Sequence, residues 1–195
     1  MESFAYFPAI VYRDERPDLV QSALPTCIQA LDQVRQPGWV MAQSNHLAHE
    51  PGLREVADYI LLSAVDILRG QGYSVDKYDF YLQGLWAQEV AMGGTNVHVH
   101  KNSQICGWFF LETPEGGAYP IYHDTRINKA MVELDFIQGD EVTNATNAIH
   151  FNNVQPGSVL FSNSWMQHQL LGGPSTAPTR CIHFIVSHKE RTCNI

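Results

Sequence analysis

ICGWFFLETPEGGAYPIYHD, residues 105–124, holds two short apolar runs on either side of TPEGG. Each run is rich in aromatic and β-branched residues and too short for a typical helix, and the Pro and Gly residues between them signal a turn. The reading is strand, turn, strand. Moving outward, the same texture extends from Tyr78 to the end of the chain: DFYLQGLWAQEVA, TNVHVH, KAMVELDFI, NAIHFNNV, GSVLFSN and CIHFIVSH, with QGD, QPG and LGGPSTAP between some of them. About eight strands with no helical pattern between them predict an antiparallel sandwich closed as a jelly roll.

Before residue 75 the pattern is helical. PGLREVADYILLSAVDILR, residues 51–69, places Leu53, Val56, Ala57, Ile60, Leu61, Ala64, Val65 and Leu68 on one face. Pro51 suits the first turn, and Gly70 and Gly72 the exit. Residues 17–35 repeat the pattern more weakly, with Pro25 either breaking it or opening a second helix. The expected chain is a single domain over 1–195: a helical N-terminal elaboration (1–75) packed on a mainly β double-stranded helix, jelly-roll or cupin-like (76–195).

Composition narrows the partners. The 195 residues are 45% hydrophobic and 16% charged, which suits a soluble globular protein. A net charge of -8 without a basic run offers no footprint for nucleic acid or an anionic membrane. No run approaches the roughly 18 apolar residues of a membrane span, and MESFAYFPAIVYRDERP is no export signal, so a cytoplasmic location is expected. Cys27, Cys106, Cys181 and Cys193 show no CxxC spacing and read as reduced, mostly buried thiols.

GGTNVHVHKNSQ, residues 93–104, carries the chemistry. On a strand, His98 and His100 project to one face and Val97 and Val99 to the other, so the two imidazoles can chelate one metal. VQPGSVLFSNSWMQHQL leads through another strand to His168, and a jelly roll returns its late strands beside its early ones, which brings a third nitrogen within reach. Non-haem iron(II) oxygenases use three protein ligands and leave positions open for a co-substrate and dioxygen. Arg180 has the planar fork that binds a carboxylate bidentately.

The order GLWAQEVAMGGTNVHVHKNSQICGWFFLETPEGG, YHDTR, VQPGSVLFSNSWMQHQ and TRCIHFIV resembles the 2-oxoglutarate/Fe(II) oxygenases of the bacterial and phage type, and the opening FPAIVY extends the resemblance over most of the chain. It implies that His98, His100 and His168 bind iron(II) and that Arg180 anchors 2-oxoglutarate. Gln88 joins the co-substrate site at a position where Asn is usual. Other departures are Cys106 for a Ser, Thr125 for a Pro, Pro156 followed directly by Gly157, and Ile182 where a Ser follows the Arg. The expected reaction is oxidation, usually hydroxylation, of a small-molecule or peptide substrate with release of succinate and carbon dioxide.

Several alternatives stay open on the sequence. Asp124 competes for a place among the ligands, and Arg126 is the second candidate for the anion anchor. Trp86, Trp108 and Trp165 read as core or pocket wall, His123, His150 and His183 as structural histidines or ligands, and His46 and His49 as exposed. A cupin-type three-His metalloenzyme without 2-oxoglutarate is one rival, although Gln104 stands where a cupin has its glutamate. A non-catalytic jelly-roll binding module, with structural or zinc-binding histidines, is the other.

Overall fold

The computed structural model describes residues 2, 8–126, 129, 142–143 and 145–191. A six-stranded antiparallel sheet runs in the order β1 (Val11–Glu15), β7 (Ser158–Asn163), β4 (Ile105–Glu112), β9 (Thr179–Glu190), β3 (Tyr78–Val90), β2 (Met41–Gln43). A smaller sheet, β6 (Ala148–His150), β5 (Tyr119–His123), β8 (His168–Leu171), faces it. The expected double-stranded β-helix is the fold found, and the quoted stretch becomes β4 and β5 with the turn between them.

The major sheet is buried on both sides. On one face Leu85, Ala87, Phe109, Phe161, Ile182, Phe184 and Val186 pack against α1 (Val20–Asp32) and α2 (Arg54–Gly70), through Ala23, Cys27 and Leu31 of the first and Val56, Ile60, Ala64 and Leu68 of the second. On the other face Val90, Trp108, Phe110, Leu160 and Cys181 meet Ala118, Tyr122, Met166 and Leu170 of the minor sheet and its approaches. This two-sided burial explains why the central strands read as continuous apolar runs instead of alternating ones.

Three differences from the sequence expectations concern the elements. The N-terminal portion is not only helical, since β1 and β2 close the two edges of the major sheet by pairing with β7 and β3. Pro25 neither breaks α1 nor starts a second helix; it is accommodated inside it. TNVHVH is not a full strand: it is an extended segment tied to β8 by bridges at Gly94↔Leu171 and His98↔His168. The expected strand KAMVELDFI falls almost entirely outside the described residues. Among the described residues no helix is long and apolar enough to cross a membrane.

Candidate metal centre

Gly94 sets up the site. Its φ of +151° is open to glycine, and an added Cβ would lie 2.2 Å from the Leu170 carbonyl oxygen. The following segment therefore presses directly onto β8. The His98 N–H donates to the His168 carbonyl at 3.0 Å, the His168 N–H donates back to the His98 carbonyl at 3.1 Å, and the His100 N–H donates to the Ser164 carbonyl at 2.9 Å. Directly paired residues on antiparallel strands share a face, and His100 follows His98 by two, so all three imidazoles point inward together. Val97 and Val99 are exposed on the opposite side, 47% and 41%.

The imidazoles converge. One ring nitrogen from each of His98, His100 and His168 lies within 4.8 Å of the others, and ring centroids are separated by 4.6 to 5.0 Å. His98 Nδ1 donates to the Asn96 carbonyl at 2.7 Å and His168 Nδ1 to the Met166 carbonyl at 2.7 Å. A carbonyl only accepts, so both Nδ1 atoms carry the proton and both Nε2 lone pairs are free, which is how a ligand-orienting partner fixes a metal-binding tautomer. His168 Nε2 and His100 Nε2 approach to 3.1 Å. Without a metal, His100 must supply the proton of that contact.

Burial keeps the His100 and His168 rings neutral. It lowers the pKa of His168 to about 3, with His98 and His100 adding to the effect, and lowers that of His100 to about 4, with His98 adding. Three imidazoles with gathered ring nitrogens, two of them with Nε2 left free by the bonded Nδ1, fit a divalent transition metal, iron(II) included.

Around the triad, Trp108 packs edge-on to His168 at 5.3 Å. The Cys106 thiol lies 3.9 Å from His168 Nε2 and 3.6 Å from the Ser162 hydroxyl. Burial pushes the Cys106 pKa up to about 12, so the group is a thiol. Tyr122, fully buried, has its ring 6.1 Å from His168. Cys106, Ser162 and Tyr122 carried no functional signal in the sequence beyond the departure noted at Cys106.

Arg180 does not join the triad. Its strand parity is that of Ile182 and Phe184, which face the helices, while Cys181 and His183 face inward. Arg180 Nε donates to Glu89 at 2.6 Å, and Nη1 donates to Glu112. Arg35 holds the same Glu89 with two bonds of 2.8 Å. Gln88 does face inward, but its amide is engaged: Nε2 donates to Gln43 at 2.7 Å, and Oε1 accepts from Trp108 Nε1 at 3.4 Å.

The alternatives also take definite places. Arg126 and Lys129 hold the Asp124 carboxylate and keep its pKa well below the ordinary range. Asp124 and Arg126 line a cavity of about 580 Å³ together with Val99 and Gln167, residues that alternate with the triad and so point away from it. His123 borders that cavity, and His150 lies on the neighbouring strand. Trp165 is half exposed, and His46 and His49 are exposed as expected. Trp86, Trp108 and His183 line the inward face, and the His183 ring lies 5.1 Å from that of His100.

Comparison with known proteins gives the class. Residues 84–184, half of the chain, match a family model described as "Putative 2OG-Fe(II) oxygenase". The chain belongs to this family of 2-oxoglutarate- and iron(II)-dependent oxygenases, and is thereby an enzyme whose cofactors are Fe(II) and 2-oxoglutarate. No curated protein matches the sequence. Among solved structures, the chain is similar to the non-heme alpha ketoglutarate dependent epimerase SnoN from nogalamycin biosynthesis, with a TM-score of 0.66, 12% identity and coverage of 96% of this chain and 80% of that one. It is also similar to a Pseudomonas putida prolyl-4-hydroxylase, with a TM-score of 0.59, 10% identity and 94% of each chain covered. A third similarity is to HygX from Streptomyces hygroscopicus, solved with nickel and 2-oxoglutarate bound, with a TM-score of 0.59, 12% identity and coverage of 92% and 83%. These likenesses establish the shared β-helical fold.

Proposed function

We propose that His98, His100 and His168 are the iron(II) ligands of this oxygenase, and that it oxidises a small-molecule or peptide substrate. The observation that carries the ligand assignment is the convergence of three imidazoles, two of them with Nδ1 pinned to backbone carbonyls. When bound, iron(II) would let dioxygen act as the oxidant, one of its oxygen atoms entering succinate as 2-oxoglutarate loses carbon dioxide and the other going to the substrate. The chain's own residues do the rest. The Asn96 and Met166 carbonyls hold the ligand tautomers, and the fully buried Trp108 and Tyr122 keep water from the inner side of His168.

The variety among similar structures supports this substrate range: it includes an epimerase from nogalamycin biosynthesis and a prolyl hydroxylase in complex with a peptide fragment. We also infer that 1–195 works as one domain, because β1 and β2 are built into the major sheet of the β-helix. Free, buried Cys27, Cys106 and Cys181 support a reducing, cytoplasmic location.

The test is iron content and 2-oxoglutarate consumption in wild type, His98→Ala and His168→Ala. The expected result is about one iron per wild-type chain with succinate formed, and loss of both in either variant at retained fold, since ligand removal empties the site while core burial stays. Unchanged iron in both variants would refute the assignment.

A further inference from the structure

His183 occupies the middle of the major sheet's inner face, with Trp86 on β3 and Trp108 on β4 as its register partners. Its ring is nearly parallel to Trp108, at 5.4 Å and 25°, and tilted on Trp86 at 5.7 Å. The residue is 5% exposed, and its buried Nε2 has no hydrogen-bond partner among the described residues. Such a group carries a desolvation penalty that a bound polar partner removes.

The neighbours narrow what that partner is. Indoles flank the ring on two sides, and the third ring in contact is His100, a member of the triad. His183 is not itself one of the three gathered nitrogens. Of the residues expected to meet the co-substrate, Arg180 faces the helices and Gln88 is engaged with Gln43 and Trp108. His183 is the inward imidazole that borders the triad with a ring nitrogen still to satisfy.

We propose that His183 binds the co-substrate, donating from Nε2 to a carboxylate oxygen at the metal-chelating end of the 2-oxo acid. The inference rests on the three-histidine iron site proposed above. The chelating end is assigned because the ring lies against a metal ligand. The donor is the buried Nε2, which no group among the described residues engages. It orients an anion whose charge the metal compensates.

The experiment uses the full chain loaded with Fe(II) under anaerobic conditions, with calorimetric Kd values for 2-oxoglutarate and for pyruvate in wild type, His183→Phe and His183→Gln. Phe keeps a ring between the indoles but has no N–H, and Gln restores one. Iron content should be equal in all three. His183→Phe should weaken both acids by a similar factor, about tenfold to a hundredfold as for a hydrogen bond to a charged group, and His183→Gln should recover most of it.

Equal Kd values in wild type and His183→Phe would overturn the proposal and leave the iron site standing. Pyruvate lacks the distal carboxylate, so a loss confined to 2-oxoglutarate would overturn the placement at the chelating end. Wild-type protein that holds iron yet binds neither acid would overturn the co-substrate reading together with this inference. Should His183→Phe fail to fold, the Nε2–H resonance of His183 in zinc-loaded wild type, assigned by its loss in His183→Gln, decides the matter. It should move downfield on adding 2-oxoglutarate, and an unmoved resonance would overturn the proposal.

Discussion

Replacing Arg180 by Met should destabilise the protein without weakening its hold on 2-oxoglutarate. The guanidinium bridges Glu89 on β3 and Glu112 at the end of β4, and side-chain exposures are 22% for Arg180, 13% for Glu89 and 39% for Glu112. Removing it leaves Glu89 still paired with Arg35 at 2.8 Å and leaves Glu112 accessible to water. The loss should therefore fall between that of an exposed pair and that of a broken buried one, about 1–3 kcal/mol. For a chain of this size that is a fall in Tm of about 2–12 °C. Thermal unfolding followed by circular dichroism reads the first effect, and anaerobic calorimetry with Fe(II) and 2-oxoglutarate reads the second. An unchanged Tm combined with lost co-substrate binding would show that the guanidinium turns into the cavity, and would refute the placement derived from strand parity.

Two further outcomes follow from the site's construction. Gly94→Ala should push the His98 segment off β8, because the new Cβ meets the Leu170 carbonyl oxygen; a stability loss of about 1–3 kcal/mol and weaker iron binding are expected, and wild-type iron affinity in this variant would contradict the role given to that contact. Metal-free protein should lose stability on acidification: His100 and His168 titrate near 4 and 3 when folded, against 6.5 for an unperturbed imidazole. The unfolded chain takes up protons first as pH drops below about 6.5, so the stabilisation is full above that pH and is lost as pH falls through the folded values. Tm measured in chelator from pH 7.5 to 4 checks this, and a flat profile would contradict the burial assigned to these two rings.

Much of the fold was legible because strand runs and turn signals coincide. ICGWFFLE is β4 from its first residue to its last, and GSVLFSN gives β7. The edge strands β1 and β2 were missed because they are short and lie beside a strong helical pattern. The HxH spacing put His98 and His100 on one face even though the segment makes only isolated bridges, since an extended chain keeps the two-residue period with or without a full ladder. Arg180 was harder to place. CIHFIVSH carries apolar residues at both parities, because helices cover one face and the β-helix interior the other, so the sequence gives no clean alternation from which to tell which way its neighbour points. The same uniformity concealed His183, whose inward direction appears only once the register with Trp86 and Trp108 is known.

The most direct test of the three-histidine iron site is an anomalous difference map from crystals of the full chain grown anaerobically with Fe(II), collected above and below the iron edge. One peak should appear, within roughly 2.0–2.3 Å of a ring nitrogen of each of His98, His100 and His168, as for other imidazole-bound transition metals. A peak at Asp124 on the far side of the segment, or an empty triad in a crystal that holds iron elsewhere, would contradict the account.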